Sequence, residues 1–534
     1  MRLSRAATMP FPLAAVLRAV LICLSLTLSP ALWAQDVELR SQDGSVTLEG
    51  NLIAYDGAYY RLETVYGPLT IAAEGVRCAG PGCPDLGGFV AEARIAGEAT
   101  VTEGLLPQLL HGFAQARGMS LQPPEQVPGG MRYALARADG GIAAIFHVMP
   151  GTSDTGLLAL LNGETDMAIS LREASEAERR ADLAASPDDP ALIRRVRVIG
   201  LDALVPVVSR QNPLSALSLT QLADVFSGQI VNWRDLGGPD APISLHLLRA
   251  DFGLAQFFED RMFAGQSDFV SSPAIIRHDS ASALATAVVR DAYAIGITTQ
   301  SARGGARSLP LAGSCGFSQS ADANSIRAED YPLTAPVLLY LAPRRLPQLV
   351  RDFLDWTETA AAERIVARAG FVNQTLTRTP VSLQGRRLAN AVAAAGGEVS
   401  LTDLQRLVAR LDGSERLSAT FRFADGSVDL DAQSRAAVAR LAAAIEQGVF
   451  DGQRLTFVGF SDGEGPAAVN LRLSLRRAES VLEAVRLAAE AADPDRVAFA
   501  VDAFGEAMPM ACDDSDWGRA VNRRVEVWVD RAAP

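Results

Sequence analysis

Leu455-Thr-Phe-Val-Gly-Phe-Ser-Asp462 is followed by Pro466 and then by Asn470, Leu473, Ser474, Arg477, Ala478 and Val481 in the order N-x-x-L-S-x-x-R-A-x-x-V. Leu455 to Gly459 is a short apolar run ending in glycine, the pattern of a buried strand, and Pro466 suits the start of a helix that runs to about Glu490. Val469, Leu473, Val481 and Val485 fall in one row at i,i+4 spacing and form the expected core face. Arg477 interrupts that row. Burying an unpaired guanidinium is costly, so it must snorkel or meet an acceptor, and Asp462 in the strand-to-helix loop is the carboxylate at hand. An Asp and an Arg so placed suit a zwitterion: the carboxylate takes an ammonium and the fork-shaped guanidinium takes a carboxylate in bidentate fashion. A plain salt bridge without a ligand is the competing reading.

Phe421-Arg422-Phe423 followed by Asp425-Gly426-Ser427 reads as an opening strand and turn, and Asn522-Arg523-Arg524-Val525-Glu526 as a closing strand. On these motifs residues 416–534 resemble the OmpA-like peptidoglycan-binding domain, an α+β fold. The resemblance implies binding of the diaminopimelate of the cell-wall stem peptide by Asp462, Asn470 and Arg477. The chain departs from the family at Phe460, where a G-H-T-D sequence usually has His. That residue supports the loop and is not one of the charge-recognising pair.

A chain of 534 residues exceeds what one core fills, so several domains are expected. With 49% hydrophobic and 21% charged residues it is a folding sequence, and a net charge of −13 gives no counterion-release advantage on nucleic acid, which is excluded as a partner. No lysine occurs, which excludes lysine-based and Schiff-base catalysis. His111, His147, His246 and His278 are scattered without metal-ligand spacing, so no metal and no cofactor are expected. There is no G-x-S-x-G sequence, and no nucleophile stands beside a base in sequence, so no catalysis is expected.

Residues 1–34 read as a signal peptide: Arg2 and Arg5 give a positive start, Ala19 to Leu28 an apolar core, and Ala34 the small residue before cleavage. Arg18 and Pro30 leave the apolar run too short to span a bilayer, and Ile22 before Cys23 is not the small residue of lipoprotein processing. No transmembrane segment is expected in the mature chain. Export places the cysteines in an oxidising compartment, where Cys78 and Cys83 can close through their Gly/Pro loop, while Cys315 and Cys512 either pair across domains or stay as buried thiols.

Residues 36–87 read as a small all-β module, with short β-prone runs between Asp43-Gly44, Asp56-Gly57 and Gly67-Pro68 turns. From 88 to 373 strand-like and helix-like segments alternate, the α/β texture. Thr100 to Gly118 reads as one helix, Leu204 to Val208 as a strand, and Ser218 to Gly228 as a capped amphipathic helix closed by glycine. Asp202-Ala-Leu-Val-Pro-Val-Val-Ser209, Asn212-Pro213, Phe226-Ser-Gly228, Asn232-Trp233, Ala294-Ile295-Gly296 and Tyr331-Pro332-Leu333 resemble the phosphate-type periplasmic solute-binding proteins of ABC importers. That resemblance implies two α/β lobes with a small oxyanion of the phosphate type between them, and an ABC permease as partner. It assigns the ligand to Thr100, to Thr152 and Ser153 at a helix start, and to Arg249. Leu171 stands where tight phosphate binders have Asp, and Gly253-Leu254-Ala255 replaces their Ser-Gly-Thr, so tight phosphate binding is not expected.

Residues 374–415 read as a helical connector, with Gly385 to Ala395 and Ser400 to Leu411 as helices around Gly396-Gly397. The whole reads as a solute-binding receptor in the periplasm of a Gram-negative envelope, wall-associated through its last domain. An envelope scaffold or sensor that binds another ligand or a protein partner is the alternative.

Overall fold

The computed structural model describes residues 37–530 except 86–87, 186, 188–191, 193–194, 251–252, 264–271, 397, 424–428 and 494. The expected leader at 1–34 and the Asp425-Gly426-Ser427 turn lie outside these residues. The architecture is multidomain, and the chain divides into two compact units, one ending at Phe89 and the other beginning at Val90.

In the first unit β1 (Val37–Ser41), β2 (Thr47–Tyr55), β3 (Tyr59–Thr64), β4 (Gly67–Ala72) and β5 (Val76–Ala79) form an antiparallel sheet in the order β4-β3-β2-β1-β5. Val37, Leu39, Tyr60 and Leu62 alternate inward as a period of two requires. Tyr60 is wholly buried and stacks on Tyr55 at 4.9 Å, so these rings pack the module. A disulfide joins Cys78 to Cys83.

The second unit opens with β6 (Ala91–Glu98), β7 (Ser120–Leu121), β8 (Glu125–Val127), β9 (Gly130–Ala136), β10 (Ile142–Gly151), β11 (Met167–Ser170) and β12 (Val196–Val208). It continues through β13 (Leu217–Ser218), β14 (Ser244–Leu248), β15 (Ile276–His278), β16 (Ala294–Thr299), β17 (Arg307–Ser308), β18 (Leu311–Ala312), β19 (Ser318–Gln319) and β20 (Thr334–Leu341). One mixed sheet runs β15-β14-β16-β12-β20-β11-β6-β10-β9-β7. Val196–Ala203 of β12 pairs with β20 in the first lobe, and Leu204–Val208 of the same strand pairs with β16 in the second. This single strand therefore joins the lobes. The helix at 219–227 has the Ser218 capping box and the left-handed Gly228 (φ 82°) read from its sequence. The helix read as continuous from Thr100 is instead two, Ala99–Gly104 and Leu106–Ala116, because Pro107 forces a new helix start.

The last domain contains β21 (Arg378–Pro380), β22 (Glu415–Arg422), β23 (Arg454–Phe460), β24 (Ala498–Gly505) and β25 (Arg524–Asp530) in the order β21-β22-β25-β23-β24, with β23 and β24 parallel. Alternation sends Leu455 and Phe457 toward the helices Ala432–Glu446 and Ala467–Ala488, and Val458 and Phe460 to the opposite face. That second face is covered by the helices Gly385–Ala394 and Leu401–Leu411, read from sequence as a connector: Ala391, Leu404, Leu407 and Leu411 pack with Val458, Phe460, Phe504 and Trp528. On the helix 467–488 the expected core row shifts. Val469 is 44% exposed, whereas Asn470, Ser474, Arg477, Ala478, Val481 and Val485 are buried. The reason is a backbone contact: a Cβ on Gly459 would lie 2.0 Å from the Ser474 carbonyl oxygen, so the helix rests on the sheet at its small and polar residues.

The middle and last domains share a buried joint. Arg416 on β22 forms two hydrogen bonds to Asp330 (2.6 and 3.0 Å), each side chain only 7% exposed, and its Nε lies 3.4 Å from Glu526. Glu526, wholly buried, also accepts from Arg387, Arg524 and Trp528. Burial alone would raise this carboxyl, but Arg387, Arg416 and Arg524 hold it well below its ordinary range. Glu173 accepts from the Ala432 amide at 2.6 Å, Ala432 packs into the core of the middle domain, and a disulfide joins Cys315 to Cys512. Replacing Arg416 by Ala leaves Asp330 with only the 3.9 Å contact to Arg422 and loosens Glu526, and is expected to lower stability by about 3–5 kcal/mol in urea unfolding.

Candidate functional site

Two groups of polar side chains sit where chain topology and packing leave functional room. The first surrounds Arg477, which is 4% exposed although charged. Its guanidinium lies over the Phe423 ring, 5.1 Å from the centroid, while Nε and Nη1 have no hydrogen-bond partner. Burial, and secondarily the neighbouring Arg523, lowers its affinity for a proton, and Asp462 acts in the opposite direction. Asp462 is not its ion-pair partner, contrary to the expectation from sequence. Asp462 instead accepts from Arg523 Nη1 at 2.8 Å, because the start of β25 brings that side chain to the loop. Asn470, one turn before Ser474, donates to Glu506 at 2.8 Å. The loop is braced from below, since Gly463 donates to Asp513 and Asp513 accepts from Asn522. The result is one carboxylate, two guanidiniums and an aromatic ring around two unused buried N–H groups. Such a site can receive a ligand carboxylate at Arg477, with Asp462 close by for a cation.

The second group lies at the carboxyl ends of the parallel strands β11, β6 and β10, where open α/β sheets bind ligands. Thr152 and Ser153 begin the helix Ser153–Leu161, and the Thr152 hydroxyl is committed to capping the Thr155 amide. Ser153 Oγ accepts from the Leu171 amide at 3.1 Å. Thr100 donates to Glu98 (3.4 Å), the last residue of β6. Gly97 sets that residue in place: its φ is 130°, and a Cβ there would lie only 2.1 Å from the Ile169 carbonyl oxygen, so no side chain fits between β6 and β11. Glu98 is 1% exposed, and its Oε2 has no hydrogen-bond partner. Burial pushes its carboxyl up to about 7, against the pull of Thr100 and with a further push from Asp202. Asp202 on β12 is itself buried and raised to about 6 by desolvation, despite hydrogen bonds from Ser301 and the Ala203 amide.

Arg249 does not join this group. Its side chain is 52% exposed and pairs at 3.2 Å with Asp279, itself 85% exposed, so the anion-holding role assigned to it from the resemblance has no support in its position. Leu171, Leu254 and Ala255 are buried where polar contacts to an anion were the alternative. Among the described residues no group of three or more His, Cys, Asp or Glu side chains is placed to hold a metal ion. No helix of the described residues is long and apolar enough to cross a membrane.

Residues 87–359, about half of the chain, match a family described as the PBP superfamily domain. The chain belongs to the PBP superfamily. Residues 422–523 match the OmpA family. The PBP-superfamily chain is 27% identical over 90 residues to phosphate-binding protein PstS 2 of Streptococcus agalactiae, covering 17% of this chain and 27% of that protein. It is 40% identical over 75 residues to outer membrane porin F of Pseudomonas fluorescens, covering 14% and 22%. The chain thus spans about a quarter of the length of these curated relatives. Among solved structures, an ABC-type phosphate transport receptor from Vibrio cholerae is 20% identical with a TM-score of 0.40, covering 52% of this chain and 99% of that one. PstS from Borrelia burgdorferi is 17% identical with a TM-score of 0.37, covering 53% and 98%.

Sequence reasoning on this PBP-superfamily protein passes over Glu98, Arg523 and Phe423 as site residues. Glu98 stands in plain sight two residues before Thr100, a carboxylate in a position read only for its neighbouring hydroxyl. Because Arg477 keeps two buried donors without partners, Arg477→Met removes about 1–3 kcal/mol of desolvation cost and loses the Phe423 contact. A net gain of roughly 1 kcal/mol is expected in urea unfolding of the full chain.

Proposed function

We propose that this protein is a solute-binding receptor of the bacterial periplasm, not an enzyme, and that its OmpA-family domain holds it to the cell wall. The observation that carries this reading is Arg477, a buried guanidinium with unpartnered Nε and Nη1 beside Asp462. A buried cation whose donors are unused lowers stability, and a ligand carboxylate that satisfies them recovers that loss as binding energy. The diaminopimelate of the stem peptide is a zwitterion that meets both charges: its carboxylate faces Arg477 and its ammonium faces Asp462, which then shares its carboxylate with Arg523. Asn470 fixes the rim of the site through Glu506.

The functional segments under this reading are 36–87, the receptor domain 88–373, the helices of 374–415, and the wall-binding domain 416–534. Under this reading Thr100, Thr152 and Ser153 are the groups that would hold the solute, and an ABC permease is the partner that such a receptor would serve. The cleft is not a tight phosphate site, since Leu171, Leu254 and Ala255 provide no polar side chains and Arg249 is held at the surface by Asp279. A second reading, an envelope scaffold or sensor, is favoured by one observation: the helix 432–446 of the last domain packs against β12, the strand that joins the lobes.

The full chain is expected to co-sediment with purified diaminopimelate-containing peptidoglycan, and Asp462→Ala or Arg477→Ala to release it, each at a cost of roughly 2–5 kcal/mol. Arg477→Lys, which keeps the charge and removes the fork, is expected to release it as well. Circular dichroism melts of the variants separate loss of fold from loss of binding. Both alanine variants staying folded and sedimenting as the wild type does would exclude this pair from wall binding.

A further inference from the structure

In the receptor cleft the groups that can hold a small anion are already facing one. The Thr100 hydroxyl donates to Glu98 Oε1, and Thr100 and Ser153 both favour the charged form of that carboxyl. These are two of the residues that the resemblance to phosphate-type receptors assigns to the ligand, and Ser153 is the first residue of a nine-residue helix whose N-terminus favours negative charge. The carboxylate they meet belongs to the chain itself. It is almost wholly buried, and the second oxygen, Oε2, is without a partner.

We propose that Glu98 is a resident carboxylate that takes the anion position of the cleft and excludes free oxyanions from it, making it the residue that sets the specificity of the receptor. This rests on reading residues 88–373 as a solute receptor. An incoming oxyanion finds the Thr100 hydroxyl already engaged by Glu98 and the Ser153 oxygen held by the Leu171 amide, and must lie beside a buried negative charge, with Asp202 on β12 as a second one. Arg172 offers no relief, since it is tied to Asp154 and Glu178.

The sign with pH follows from the raised carboxyl. Glu98 carries no charge below its titration near 7 and is charged above it, so the exclusion is weakest in acid and strongest at alkaline pH. Sulfate is the suitable probe because it keeps one charge state over this range. Titration calorimetry of the full wild-type chain with sulfate is expected to give about tenfold tighter binding at pH 6 than at pH 8, as required if only the neutral form of Glu98 admits the anion. Glu98→Gln is expected to bind sulfate about tenfold tighter than the wild type at pH 8 and with little dependence on pH. Glu98→Ala, which removes the resident group altogether, is expected to gain at least as much, and melting curves report whether either variant is folded.

A wild-type sulfate affinity that is unchanged from pH 8 to pH 6, or sulfate binding absent at both, overturns the proposal without use of any variant. So does phosphate binding that is tight in the wild type and lost in Glu98→Gln, which would make Glu98 an acceptor for a protonated anion. Neither result bears on wall binding, which the peptidoglycan assay reads separately.

Discussion

Glu526 is the point on which the second unit is assembled. It lies wholly inside the protein, and its two oxygens gather Arg524 from its own strand, Arg387 from the helix 385–394, Trp528, and Arg416, which in turn holds Asp330 of the receptor domain. A carboxylate in such a place is tolerable only when surrounded by cations, and it in turn offsets the burial of those cations. Three separate segments of chain are thereby required to arrive together. Apolar contacts alone would fill the same volume with less discrimination over which segments meet, since burial is favourable whatever the partner. The buried ion network adds a geometric condition, and the disulfide from Cys315 to Cys512 closes the same joint covalently.

The two candidate sites solve the problem of buried charge in opposite ways. At Arg477 the protein leaves two donors of a buried cation without acceptors. At the carboxyl end of β6 it buries a carboxyl group, Glu98, toward which the Thr100 hydroxyl is turned. Both arrangements depend on backbone contacts that no side chain can enter, at Gly459 against Ser474 and at Gly97 against Ile169. The functional groups are positioned by the absence of atoms beside them as much as by their own bonds.

What the sequence discloses follows how local each interaction is. The strand 454–460, the helix from Ala467 and the capped helix 219–227 are readable because periodicity and caps are written within a dozen residues. The two helices after residue 384 are readable as helices, but not the sheet face they cover, since Leu404, Leu407 and Leu411 find Val458 and Phe460 only through the tertiary fold. The pairing of Asp462 escapes the sequence for the same reason: Arg523 is distant along the chain and near in space. Motif position puts Arg249 in the cleft, and does not reveal that Asp279 holds it at the surface. Glu98 goes unnoticed because a carboxylate does not belong to an anion site until the neighbouring donors are seen to face it.

The attachment of the helix 432–446 to β12 has a mechanical meaning. Force applied to the last domain enters the middle domain through the strand that both lobes share, the Arg416–Asp330 pair and the Cys315–Cys512 bond, not through a slack linker. Under tension the weak element would be the non-covalent seat on β12, while the sulfur bridge, in parallel with it, limits the separation. A receptor loaded in this way is a stiff strut rather than a buoy on a rope.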